Sequence, residues 1–257
     1  PMQKSDINQE ENRLSVAMKQ MVHKSNPLLD RLPNLQIDHI FTTNYSYCLE
    51  RAFFPTLNFS RGSVRSKLRF DLRNEEMKKE RKTEVQYRLH TCYYSGLDQD
   101  SAKGTGLWHI HGESSVPKGL VLWHDRYGRM LSFIVRCCEE MDRRICNVKS
   151  DKMDFTSWPA LFLFGDIYIL VFGFDTCEFD LWWLLRRKQR ERNSDGKVYF
   201  YDKPPFTQKR EVHHLLLQAN GAEIITAGAD ETTSYDTFYI SALDDIYEKT
   251  QRNRGRL

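Results

Sequence analysis

Apolar positions along this chain alternate between two periods, and the switches outline its elements. Over residues 7–23, Leu14, Ala17, Met18, Met21 and Val22 recur three or four apart in a polar background, the spacing of an amphipathic helix. Asn26-Pro27 and Leu32-Pro33 break that pattern. Residues 37–42 read as a strand, and helical spacing resumes from Tyr45 until Pro55 stops it. An apolar run over 107–111 predicts the next core strand, followed by a short extended piece at 120–123. A helix is expected over 125–141, with Met130, Phe133, Ile134 and Cys137 on one face, and a short helix or turn over 154–161. Residues 167–174 form the most apolar run, rich in β-branched and aromatic side chains that favour a buried strand. Asp175 and Glu178 then have the spacing of a capping box, ahead of a helix whose apolar face is Leu181, Trp182, Leu184 and Leu185. Strands at 197–201 and 222–226 flank a helix over 212–219 closed by Asn220-Gly221, and a terminal helix covers 237–251.

Strands alternating with helices predict an α/β fold: a doubly wound, Rossmann-like parallel sheet with helices on both faces. Residues 60–106 interrupt the alternation. Positions 61–82 are dense in Arg, Lys and Glu, as in a solvated helix or mobile loop, residues 85–90 alternate like a half-buried strand, and 95–106 read as a polar turn. We read this stretch as a charged insertion between two core strands of a single domain spanning residues 1–257.

Composition narrows the function classes. At 257 residues and 40% hydrophobic content, the chain is large and apolar enough for a real core. A net charge of +3 is too weak to argue for a dedicated nucleic-acid binder. No apolar run reaches bilayer-spanning length, and the first residues lack a signal-peptide core, so no membrane association and a cytoplasmic location are expected. The six cysteines contain no C-x-x-C pair, which argues against a zinc ribbon.

The candidate chemistry sits where strands should end, the edge at which open α/β sheets bind ligands. Thr42-Thr43-Asn44 ends one strand; its plain alternative is a helix cap, since a helix starts near Tyr45. His111-Gly112 ends another, the glycine permitting close approach of a ligand or of backbone. His109 and His111 are two apart and share a face if both lie on the strand. That opens a metal-dependent hydrolase reading, for which His124 and Asp125 could supply the third ligand and the carboxylate, with nothing in the sequence to fix their geometry. Gly173-Phe174-Asp175 marks a strand-to-helix junction suited to a ribose or base contact, or simply a capped turn. Asp202 follows a strand and is placed to touch a ribose hydroxyl. Neither a G-x-S-x-G elbow nor a Walker-type loop is present, and Gly104-x-Gly106 precedes a strand where a dinucleotide loop should follow one.

The order of these pieces is more specific than any one of them. Thr42-Thr43-Asn44-Tyr45, then Trp108-His109-Ile110-His111-Gly112-Glu113, then a strand ending Gly173-Phe174 with Asp180-Leu181-Trp182-Trp183-Leu184-Leu185 in the next helix, resembles the sirtuin-like NAD-hydrolase family over residues 37–226. Members of that family often serve in bacterial anti-phage defence. The resemblance implies that Asn44 positions water and the nicotinamide ribose, and that His111 is the base on a ribose hydroxyl. It implies that Thr42 and Thr43 line the nicotinamide side, with Gly112 beside the histidine, and that Gly173 and Phe174 meet the adenosine half. Asp175 and Asp202 join that nucleotide-binding set. NAD is the implied substrate, with no metal expected. The implied partners are a nucleotide of the NAD or ADP-ribose type, and a second copy of the chain or a partner ATPase or defence protein. Ser46 stands where the family usually carries an aspartate that contacts ribose. The family's opening G-A-G-x-S phosphate loop has no counterpart before Ile37, and the four-cysteine zinc module of deacetylating sirtuins is absent. A catalytically decayed module for nucleotide binding or complex assembly is the alternative.

Overall fold

A computed structural model describes residues 12, 13, 16, 26–59, 61–73, 87–96, 104–147, 155–192 and 194–254. The helix expected over 7–23 lies almost wholly outside them; residues 12, 13 and 16 are helical. In chain order the elements are α1 (Pro27–Arg31), β1 (His39–Thr42), α2 (Cys48–Phe53), α3 (Gly62–Leu68), β2 (Arg69–Asp71), β3 (Thr91–Tyr94), β4 (Gly106–His109), α4 (His124–Asn147), α5 (Trp158–Phe164), β5 (Ile167–Ile169), α6 (Phe179–Gln189), β6 (Val198–Tyr201), α7 (Gln208–Ala219), β7 (Ala222–Ile225) and α8 (Tyr235–Arg254).

The α/β architecture is Rossmann-like, but its strands form two hydrogen-bonded sheets. One is wholly parallel, in the order β5-β6-β7, with Ile167 opposite Val198 and Val198 opposite Ala222. The other has the order β1-β4-β3-β2 and is mixed: β1 and β4 run parallel, whereas β3 and β2 add antiparallel. Those two added strands come from the charged stretch 60–106, so that segment extends the sheet beyond β4.

One core serves both sheets. Trp108 of β4 and Ile110 just beyond it pack with Met130 and Ile134 of α4, Trp158 and Leu163 of α5, Leu184 and Leu185 of α6, Phe200 of β6 and Leu217 of α7. Leu107 points the other way, into a second cluster with Tyr47, Leu49, Phe54, Phe59, Leu68 and Tyr93 beneath α2 and α3. The alternation within Leu107-Trp108 thus gives β4 two buried faces, as its apolar run requires. A third cluster, Tyr201, Phe238, Ala242 and Ile246, seats α8 against β6.

Several expected boundaries move. The strand read over 85–90 is not found among its described residues, 87–90; the pairing strand is β3, immediately afterwards. Residues 120–123 form no strand, and Val121 is held through a bond from its N–H to the His111 carbonyl at 2.9 Å. The run 167–174 keeps strand geometry only to Ile169, because Val171 and Phe174 adopt positive φ of 57° and 52°. For a β-branched residue such as Val171 that is an outlier, and it ends the ladder. The Asp175–Glu178 capping box does not form. Asp175 accepts from the Cys177 N–H at 3.2 Å, α6 starts only at Phe179, and the Glu178 side chain makes no cap bond.

Candidate functional site

The parallel register of β1 and β4 sets Thr42 opposite His109. Asn44 and His111 each lie two residues beyond that pair, so both reach the C-terminal edge of one parallel strand pair. Thr42-Thr43-Asn44 is not a helix cap: α2 begins four residues later, at Cys48, with no side-chain cap. Instead the Thr42 hydroxyl accepts from the Asn44 N–H at 3.1 Å, a local turn that leaves the Asn44 side chain exposed. Tyr45 and Ser46 are half-buried beside it. The Tyr45 hydroxyl donates to the Val121 carbonyl at 2.8 Å and the Ser114 N–H donates to the Tyr45 carbonyl at 2.8 Å, tying this turn to the 111–121 loop. Ser46 bonds to Cys48 across 3.3 Å.

His109 and His111 part company because the strand ends between them. His109 lies 2.8 Å from the Asn44 carbonyl through Nδ1 and 2.7 Å from Glu50 Oε1 through Nε2. A carbonyl only accepts, so Nδ1 carries a hydrogen. Burial alone would lower this imidazole's pKa, but the Glu50 charge and the bonds to Glu50 and Asn44 outweigh it and raise it. That direction favours the protonated imidazole, which faces a fully buried carboxylate. His111 turns towards α6, with Nε2 3.0 Å from Asp180 Oδ2 and Nδ1 3.5 Å from Glu178 Oε2, and its ring edge-on to Tyr127. The two histidines thus serve different acids on different helices and do not converge on one ion, which removes the H-x-H metal reading.

His111 is 1% exposed and Asp180 is fully buried. Burial pushes the Glu178 carboxyl up, and the neighbouring Asp180 charge adds to this against the pull of His111. Asp180 Oδ1 and Glu178 Oε2 are buried without a hydrogen-bond partner among the described residues. His111, Glu178 and Asp180 offer three ligand-type atoms within 4.8 Å of one another, a set chemically able to take a divalent cation. In the observed arrangement each ring nitrogen faces a different acid. That geometry suits a proton held between imidazole and carboxylates.

Gly112 has φ +96°, and a Cβ there would meet the Gly119 carbonyl oxygen at 2.3 Å, so what approaches this glycine closely is backbone. Gly173, Phe174 and Asp202 gather around α7. The Gly173 carbonyl accepts from Arg210 at 3.3 Å, the Phe174 carbonyl lies 2.8 Å from His213 Nε2, and Asp202 is paired with Arg210 and with His214 at 2.7 Å. Although burial opposes it, bonding to Arg210 and His214 holds the Asp202 carboxyl below its usual range. Phe174 is buried edge-on to Trp182, and the Asp175 carbonyl accepts from Trp182 Nε1 at 2.9 Å.

A family model for the SIR2-like domain matches residues 38–225, from just before β1 to the last residue of β7. The chain belongs to the SIR2-like domain family. Among curated proteins, no relative matches it. SIR2-like domains bind NAD. In this one, the two groups of expected site residues, one at the β1–β4 edge and one around α7, are joined by Glu178 and Asp180, which α6 carries from the 170–178 segment to His111. Glu50, Asp180 and the second role of Glu178 escaped the sequence reading. The available signal was a carboxylate in the first turn of a helix otherwise apolar at Leu181, Leu184 and Leu185. Among the described residues of this SIR2-like domain, no helix is long and apolar enough to cross a membrane.

Proposed function

We propose that this SIR2-like domain is an NAD hydrolase that cleaves the nicotinamide N-glycosidic bond. NAD and water become nicotinamide, ADP-ribose and a proton. The observation that carries the reading is the β1–β4 register, which delivers Asn44 and His111 to one sheet edge. The transition state resembles an oxocarbenium ion, so positioning and electrostatics supply most of the rate. Asn44, with an exposed amide, orients water and the nicotinamide ribose, and Thr42 and Thr43 line the nicotinamide side. His111 takes a ribose hydroxyl proton at Nδ1 while Asp180 accepts from Nε2–H, an arrangement that fixes the tautomer. Substrate must displace the Glu178 side chain from that nitrogen. Gly112 and Ser46 shape the same edge, and Gly173, Phe174, Asp175 and Asp202 take the adenosine half.

The biological setting we infer is cytoplasmic NAD depletion in anti-phage defence, with a second copy or an ATPase partner governing activity. That part rests on family resemblance alone. A second reading draws on the enclosure of His111: a histidine this buried also serves to pin α6 to the end of β4, in a domain that binds nucleotide without cleaving it.

Nicotinamide release from NAD separates the two. Asn44→Ala touches an exposed side chain and should leave the melting temperature unchanged while cutting turnover at least 100-fold. His111→Gln should do the same to turnover, and EDTA should change nothing. No release by the intact protein, and no thermal shift with NAD or ADP-ribose, would overturn the hydrolase. A thermal shift without release would favour the binding module.

A further inference from the structure

Two carboxylates and one imidazole meet at the start of α6 with more bonding capacity than the described residues satisfy. Asp180 spends one oxygen, Oδ2, on His111 Nε2; its other oxygen, Oδ1, is buried with no hydrogen-bond partner among those residues. Glu178 Oε2 is likewise buried and without a hydrogen bond, although it lies 3.5 Å from His111 Nδ1. Each orphan oxygen has lost water without gaining a donor, which costs free energy until a partner arrives.

Charge points the same way. Both acids pair with His111, and among the described residues neither pairs with a lysine or arginine. With both carboxylates ionised, even an imidazolium leaves one negative charge over, and the two acids repel each other. Buried charge of this kind is relieved by a cation. The donor set selects which cation. His111, Glu178 and Asp180 bring one nitrogen and two carboxylate oxygens within 4.8 Å of one another, which can fill three of the four positions around a tetrahedral ion. An imidazole donor suits zinc and its neighbours, whereas magnesium and calcium prefer oxygen.

We propose that His111, Glu178 and Asp180 bind a divalent transition metal, zinc foremost, and that the bound ion silences His111. The ion takes the place of the proton held among these three groups, and that proton leaves to solvent. Coordination at either ring nitrogen draws on the imidazole's electrons, so the other nitrogen loses its basicity towards a ribose hydroxyl. The fold supplies both a firm seat and a way in. Asp180 is fixed in the first turn of α6, and His111 is braced by the bond from the Val121 N–H to its carbonyl. Glu178 precedes the helix, and its side chain is 13% exposed against 2% for His111 and 0% for Asp180. It is the ligand on the solvent side. The silencing rests on the hydrolase reading of His111; the binding does not, and zinc alone tests it.

Titration of the intact protein with zinc against a chelating indicator decides the matter. One zinc should bind per chain, raise the melting temperature and resist competition by magnesium. Glu178→Gln and Asp180→Asn should each weaken zinc at least tenfold; the first, at the more accessible ligand, carries the test if the second does not fold. Cys177→Ser removes the half-exposed thiol next to Glu178 and should bind zinc as the wild type does. In nicotinamide release, zinc should inhibit the wild type and EDTA should then restore the rate, while protein never given zinc stays indifferent to EDTA. Glu178→Gln keeps His111 and should need at least ten times more zinc for the same inhibition. Weaker zinc binding in Glu178→Gln supports the site even if the intact protein releases no nicotinamide. No zinc binding by the intact protein, undiminished binding in Glu178→Gln, or binding lost in Cys177→Ser overturns the site, even where release is strong. Full release with zinc bound overturns the silencing.

Discussion

Two histidines two positions apart show how much a side chain's chemistry depends on what faces it. His109 and His111 carry the same imidazole, yet the first is held against one buried carboxylate and a carbonyl and the second is set between two acids beyond the strand end. Their presence near a strand end was readable from the run Leu107-Trp108-His109-Ile110-His111-Gly112. Their partners were not, because Glu50 and Asp180 lie 59 and 69 positions away in the chain. The His109 pair makes a prediction about pH. Its folded-state pKa is raised, so its stabilisation is complete below the unfolded histidine value near 6.5 and fades as pH rises through the higher folded value. Glu50→Gln should remove that dependence and destabilise by about 3 kcal/mol at pH 6, measured by urea unfolding across pH 5–9. NMR titration of His109 should show its pKa falling in the variant. An unchanged pKa and an unchanged pH profile would mean that the pair is not ionised.

Elements were recovered best where one face is apolar throughout. The stripe Met130, Phe133, Ile134 and Cys137 did become the inner face of α4, and the strands at 198–201 and 222–225 fell within a residue of their expected ends. Failures came where a short apolar or alternating pattern suits strand and loop equally. Residues 170–174 are as apolar as a strand, but left-handed backbone at Val171 and Phe174 turns them into the loop that delivers Glu178. Helix α6 also hides a cation. Lys188 donates to the Leu163 and Gly165 carbonyls at 2.9 and 2.6 Å, bracing the end of α5, and burial lowers its pKa to about 8. A base with a depressed folded pKa binds fewer protons when folded, so between pH 8 and about 10.5 the unfolded chain holds the extra proton and stability rises with pH. Lys188→Met lacks this term. The stability difference between wild type and variant should therefore move in the wild type's favour from pH 8 to pH 10, as read by chemical denaturation. A constant difference would place the lysine's pKa at its ordinary value.

At the scale of the molecule, two sheets behave as one because a single core runs beneath both. Trp108 from one sheet and Phe200 from the other belong to the same buried cluster. The family match ends at residue 225, yet α8 beyond it covers β6 through Phe238, Ala242 and Ile246. This helix closes a face of the parallel sheet that would otherwise be wet. Phe238 is 2% exposed, so Phe238→Ala should cost about 3–5 kcal/mol in denaturant unfolding. A loss under 1 kcal/mol would show that α8 is not part of the cooperative unit.

The sequence alone determined the α/β class, the helix faces, and the arrival of an amide and an imidazole at strand ends, because those depend on local periodicity and on residues within one turn of each other. Tertiary structure decided the rest. Strand pairing made β2 and β3 antiparallel additions to the sheet, and register set Thr42 against His109. Packing chose Asp180 for His111, Glu50 for His109 and Glu113 for two arginines. Each of these pairs joins residues far apart in the chain. The free energy of a buried charge depends on which partner the fold brings within about 3 Å, and no pattern local to either residue encodes that.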